Sequence, residues 1–190
     1  MNIKINGIDT DFGAINTGLG YTLSKFLDAK LTFAIQGRGQ TTVDVKKVIG
    51  DAFNYMDSHC AASKQCNQYF LGLNKREPIS LRQILDTKTM QIFRLKPGEA
   101  KELKDLPAGY TMGWGDTYAQ IGLNELMLTD TMSAASVLLH ELAHVAGAPG
   151  RGDDPTSIAA ETALLNCGLK KYFDKDALGA IQSIGQTRMA

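Results

Sequence analysis

The run S-A-A-S-V-L-L-H-E-L-A-H-V-A-G, from Ser133 to Gly147, sets the reading of the whole chain. Its Ala, Leu and Val content favours helix, no Pro or Gly interrupts it before Gly147, and Gly147 suits a C-terminal stop. On a helix, residues four apart stack on one face, so His140 and His144 point the same way. Two neutral imidazole nitrogens about 2 Å from a common point are what a tetrahedral Zn2+ takes from a single element. Glu141 lies about 100° around the helix from His140 and about 60° from His144. From there its carboxylate reaches a metal-held water without ligating the metal, the place of a general base in zinc-dependent hydrolysis. Histidines on an apolar helix are often ordinary core residues. Here two of the 3 His in 190 residues fall at this spacing beside a Glu, which favours the metal.

A catalytic zinc takes three protein ligands and keeps one open position. Downstream of His144 the carboxylates are Asp153, Asp154 and Glu161. Asp154-Pro155 reads as a helix start, with Asp at the N-cap and Pro at the first helical position. The helix runs to Cys167 and ends at Gly168. On it Glu161 shares a face with Ile158, Leu164 and Leu165, so a carboxylate is predicted on a buried face, where it needs a metal or an ion-pair partner. Glu161 is therefore the expected third ligand and Asp154 the expected cap, with Asp154 or Asp153 as the alternative ligands.

The rest of the chain sets bounds on this. Its length fits one domain over residues 1–190, with a helical and mixed part at 1–110 and the zinc-site part at 111–190. At 44% hydrophobic residues it can fill a core, and 20 basic residues balance 20 acidic ones, which points away from nucleic acid. The chain opens with no basic-then-apolar leader and has no apolar run of about 18 residues, so neither a signal peptide nor a membrane span is expected. Export would then need a route that reads no such signal, unless the chain is part of a larger protein. Three cysteines, Cys60, Cys66 and Cys167, argue against a pure disulfide framework. Cys60 and Cys66 bridging, or free buried thiols, are the two expectations, and six residues apart on one helix the pair would point apart.

The coarse element reading begins with residues 3–8 as a strand entering an Asn-Gly turn. Tyr21 to Ala29 reads as a short helix, Leu31 to Ile35 as extended. Val45, Val48, Ile49, Ala52, Phe53 and Met56 follow helical spacing from about Thr42 to Ser58, and Ser63 to Leu71 is a second helix. His59, between them, is expected at the surface. Ser80 caps a helix through Leu81, Ile84 and Leu85. Met90 to Leu95 alternates as a strand, Pro97 to Pro107 is a solvated connector, and Tyr110 to Asp116 is a glycine-rich loop. Thr117 to Leu123 alternates as a strand, and Thr131 or Ser133 caps the helix that follows.

On His140, Glu141 and His144 the chain resembles the zincin metallopeptidases, and Glu161 on a following helix looks like the third ligand of the gluzincin branch. A metzincin would carry a His at the position of Gly150. The segment 117–170 is also similar to the deuterolysin (aspzincin) family, in which Asp153 or Asp154 would ligate. That family's Gly-Thr is Arg151-Gly152 here. The format further resembles metallopeptidase toxins delivered by bacterial secretion systems. These resemblances imply an α+β, zincin-like fold with a small mixed or antiparallel sheet on the motif helix, a Zn2+ cofactor and a protein or peptide substrate. They also imply Thr117–Leu123 as the edge strand along the cleft, with Tyr118 (then Tyr110 or Tyr172) stabilising the oxyanion. A secreted effector with a cognate immunity protein, a hydrolase of peptidoglycan stem peptides, and a non-catalytic zinc-binding interaction domain are the functional expectations.

Overall fold

A computed structural model describes residues 2–5, 15–16, 21–24, 30–35, 39–97, 106–149 and 158–170. The described residues form a mixed α+β fold with five α-helices, a six-stranded sheet and a separate two-stranded hairpin. The centre of the sheet is β6 (Thr89–Pro97). On one side it pairs in parallel with β1 (Asn2–Ile5) and antiparallel with β3 (Tyr21–Ser24), which carries β2 (Ile15–Asn16) beyond it. On the other side β6 pairs in parallel with β8 (Tyr118–Leu123), and the antiparallel β7 (Gly109–Trp114) ends the sheet. The hairpin is β4 (Lys30–Ile35) against β5 (Gly39–Asp44).

The helices start where the sequence supplies caps. Asp44 accepts from the Lys47 amide to open α1 (Val45–Tyr55), whose Val45, Val48, Ile49, Ala52 and Phe53 are buried. A π-helical turn continues it to Cys60. Ser63 caps α2 (Lys64–Leu73), and Ser80 with Gln83 forms a reciprocal capping box on α3 (Leu81–Thr87). Next come α4 (Thr131–Val145) and α5 (Ile158–Asn166). Helix α4 packs against α1, α5, β7 and β8, and every residue from Ser133 to Ala143 is buried. One sheet face sends Met90, Ile92, Ala119, Ile121 and Leu123 into this helical core, while Phe93 and Leu95 pack with Leu106 on the other face.

Several expectations are corrected. The Tyr21–Ala29 helix is a strand over its described residues, because pairing with β6 satisfies a backbone that four residues of weak periodicity could not commit to helix. The described residues of the opening strand, Asn2–Ile5, pair in parallel with β6, so their partner lies far along the chain, and the expected Asn6-Gly7 turn lies outside the described residues. The glycine-rich Tyr110–Asp116 stretch is mostly strand β7, its backbone bonded to β8. Consequently β8 lies inside the sheet between β6 and β7, and the expected edge placement of Thr117–Leu123 is wrong. The cap of α4 is Asp130, one residue earlier than expected, because its carboxylate reaches the amides of both Met132 and Ser133. Ile158 and Leu165 are exposed, and Ala160, Ala163 and Leu164 form the buried face of α5 with Glu161. His59 is exposed and stacks on Tyr55.

The cysteines pair otherwise than expected. Cys66 on α2 is bonded to Cys167 at the end of α5, and Cys60 is a free buried thiol. Consecutive cysteines on helical turns face different ways, whereas α2 and α5 pack side by side and bring Cα atoms 101 residues apart in sequence to 4.6 Å. Burial pushes the Cys60 thiol up to about 12, so it stays protonated and inert at neutral pH although it lies 3.4 Å from the Cys167 carbonyl oxygen. Cross-linking a loop of this length restricts the unfolded chain, so Cys66→Ser is expected to cost about 2–5 kcal/mol. Urea midpoints with and without reductant check it: reduction should destabilise the wild type and leave the variant unchanged.

Candidate metal centre

The motif residues stand on α4 in the middle of the core. His140 and Glu141 are buried, and His144, one turn later, is partly buried near the helix end, where Gly147 takes φ of +100°. The two imidazoles converge, with Nε2 of His140 3.2 Å from Nε2 of His144 and ring planes at 69°. Nδ1 of His144 lies 3.0 Å from the Ala148 carbonyl oxygen. A carbonyl has no proton to give, so Nδ1 donates and Nε2 keeps a free lone pair.

Glu161 meets His140 from α5. Its Oε1 lies 2.9 Å from His140 Nδ1, and both side chains are almost fully enclosed. The carboxylate sits off the N–H direction: Nδ1 and Glu161 Oε2 both lack an aligned hydrogen-bond partner among the described residues. Burial works against a protonated His140, but the carboxylates of Glu161 and Glu141 outweigh it and raise the imidazole pKa above its ordinary value. With Nδ1 turned to a carboxylate, His140 also aims Nε2 at the shared point. Two nitrogen lone pairs 3.2 Å apart repel unless a cation, a proton or a metal, lies between them. Two ligands at about 2.05 Å subtending a tetrahedral angle would be about 3.3 Å apart, so this spacing fits zinc.

Glu161 reaches its position because α5 is tied to α2 near both ends. Tyr69 donates its hydroxyl to the Ala159 carbonyl, Gln65 donates to the Asn166 side chain, and the disulfide fixes Cys167. Gly168, at φ of +86°, then lets the Leu169 amide return to the Leu164 carbonyl. As placed, Glu161 supports His140 from Nδ1, on the side of the ring away from Nε2. That is where a carboxylate orients a ligating imidazole. Among the described residues no three His, Cys, Asp or Glu side chains gather into a group able to hold a metal. Asp153, Asp154 and Tyr172 lie outside the described residues.

Tyr118 is not brought to this group. It is exposed at the start of β8 and alternates onto the opposite strand face from Ala119, Ile121 and Leu123, which pack in the core with α4. The sequence reading missed two residues of β7 that touch Glu141. Thr111 donates its hydroxyl to Glu141 Oε2 at 2.7 Å and also lies 3.0 Å from the Glu141 carbonyl oxygen. A Cβ built on Gly109 would stand 2.6 Å from Glu141 Oε1 and 2.6 Å from Val137 Cγ1, so only glycine lets the strand approach the helix. The signal for both was the pairing of this stretch with 118–123, which its glycines disguised.

No protein-family model, curated protein or solved structure matches the chain. The site therefore carries the functional argument alone. Gly109→Ala is expected to push Glu141 and Val137 aside and to lower stability by about 1–3 kcal/mol, read as a fall in the thermal midpoint. An unchanged midpoint would show that the strand–helix contact is looser than described.

Proposed function

We propose that this chain is a zinc-dependent hydrolase of peptide bonds with a zincin-like architecture. The observation that carries the reading is the convergence of the His140 and His144 Nε2 atoms to 3.2 Å on the helix that also carries the buried Glu141 carboxylate. Zinc bound there would polarise the scissile carbonyl and acidify a water. His140 and His144 are two ligands, and Glu161 is the carboxylate beside them, at His140 Nδ1. Glu141 takes the proton of the attacking water and passes it to the leaving amine. An extended substrate adds to β7, the last strand of the sheet among the described residues and the one in contact with Glu141, through main-chain hydrogen bonds.

Proteins and peptidoglycan stem peptides are the substrate classes. The Cys66–Cys167 disulfide suits work in an oxidising compartment, which supports an exported effector whose producer guards itself with an immunity protein. No helix among the described residues is long and apolar enough to cross a membrane. A zinc site of purely structural use is the competing reading, and Glu141 separates the two. Glu141→Gln should keep stoichiometric zinc by metal analysis and abolish release of new termini from a proteome and from cell-wall sacculi. Retained hydrolysis in this variant would end the mechanism.

The role of Glu161 has its own readout. Glu161→Ala is expected to weaken zinc in competition with a chromophoric chelator. A loss of about 10–100-fold marks a carboxylate acting through His140, whereas loss of stoichiometric zinc marks a direct ligand. Unaltered affinity would remove Glu161 from the site.

A further inference from the structure

The edge strand does more than border the helix. Both carboxylate oxygens of Glu141 are met by β7: Oε1 lies over the bare Cα of Gly109, and Oε2 accepts from Thr111 Oγ1 at 2.7 Å. Thr111 has one hydroxyl proton and two acceptors in reach, the Glu141 carbonyl at 3.0 Å and Oε2. The charged acceptor is nearer and binds a donor more strongly, so the proton goes to Oε2. A sheet bulge falls between Thr111 and Gly113, where extra backbone re-aims side chains at the end of a regular ladder. Thr111 itself sits in register with Ile121, whose side chain enters the core containing α4.

We propose that Thr111 is a positioning residue for the general base. Its hydroxyl holds Oε2 and fixes the Glu141 side chain in one rotamer. This rests on the hydrolase reading for its kinetic consequence, but the clamp itself is a property of the protein at rest. Glu141 is a poor candidate to order itself. Its side chain has three rotatable bonds, its helix neighbours Val137 and Leu138 are apolar, and Thr111 is the hydroxyl that meets its carboxylate in this core. A free carboxylate there would sample several directions, and few would face the attacking water.

The test compares Thr111→Val, which keeps the shape and deletes the donor, with Thr111→Ser, which keeps the donor, in the full zinc-loaded chain. Val is expected to lower kcat on a susceptible peptide by about tenfold to a hundredfold, with KM and zinc content unchanged, and Ser to stay within a few-fold of wild type. Independently of turnover, protein labelled with 13C at the glutamate carboxyl carbon, with the Glu141 signal identified by its loss in Glu141→Gln, should show that signal displaced by Val and restored by Ser. An unmoved signal in the Val variant, equal damage from Ser and Val, or zinc lost from either would overturn the proposal. Displacement by Val in a protein that cleaves no peptide would uphold the clamp and defeat the hydrolase reading instead.

Discussion

The constraint on which this structure turns is that α4, buried from Ser133 to Ala143, carries two imidazoles and a carboxylate. A helix enclosed by apolar neighbours does without solvent, so each polar side chain on it must find a partner or cost several kcal/mol. The partners come from three different directions. The Ala148 carbonyl, just past the helix end, takes the Nδ1 proton of His144. Glu161 comes from α5 to Nδ1 of His140, and Thr111 comes from β7 to Glu141. What these partners leave is the facing pair of Nε2 atoms, 3.2 Å apart.

Meeting the demand of His140 requires a carboxylate from a separate helix, and the chain invests its one disulfide in holding that helix. Cys66–Cys167 joins α2 to the last turn of α5, with the Tyr69 and Gln65 hydrogen bonds along the same contact. Cys60 lies beside this joint as a buried thiol kept protonated by its surroundings, so the 66–167 pairing is shielded from exchange at neutral pH.

The sheet meets the demand of Glu141. Because β7 closes on β8 at the border of the sheet among the described residues, it can lean on α4 with small residues. Gly109 provides the close approach and Thr111 the hydroxyl. Buried Lys88 stiffens the far end of this hairpin by donating to the carbonyls of Gly115 and Asp116. Strand, turn and helix thus act as one unit around the carboxylate.

The local parts of this arrangement were legible in the sequence, because they rest on spacing within a few residues. The i, i+4 histidines with the intervening Glu, the apolar periodicity of α1, the Ser80 cap, and the stops at Gly147 and Gly168 all follow from helix geometry acting on near neighbours, whereas Glu161 is buried with Ala160, Ala163 and Leu164 and not with Ile158 and Leu165. What spans the chain was not. Whether a glycine-rich stretch is loop or edge strand depends on a partner that accepts its backbone bonds, and β7 found one in β8. Which cysteines join depends on which helices pack, and Cys66 found its partner 101 residues away. The nitrogen of His140 that Glu161 would face, and the donor that would hold Glu141, depend on distances between separate elements. Those distances were decided only by the packing of α5 and β7 on the two sides of a buried helix.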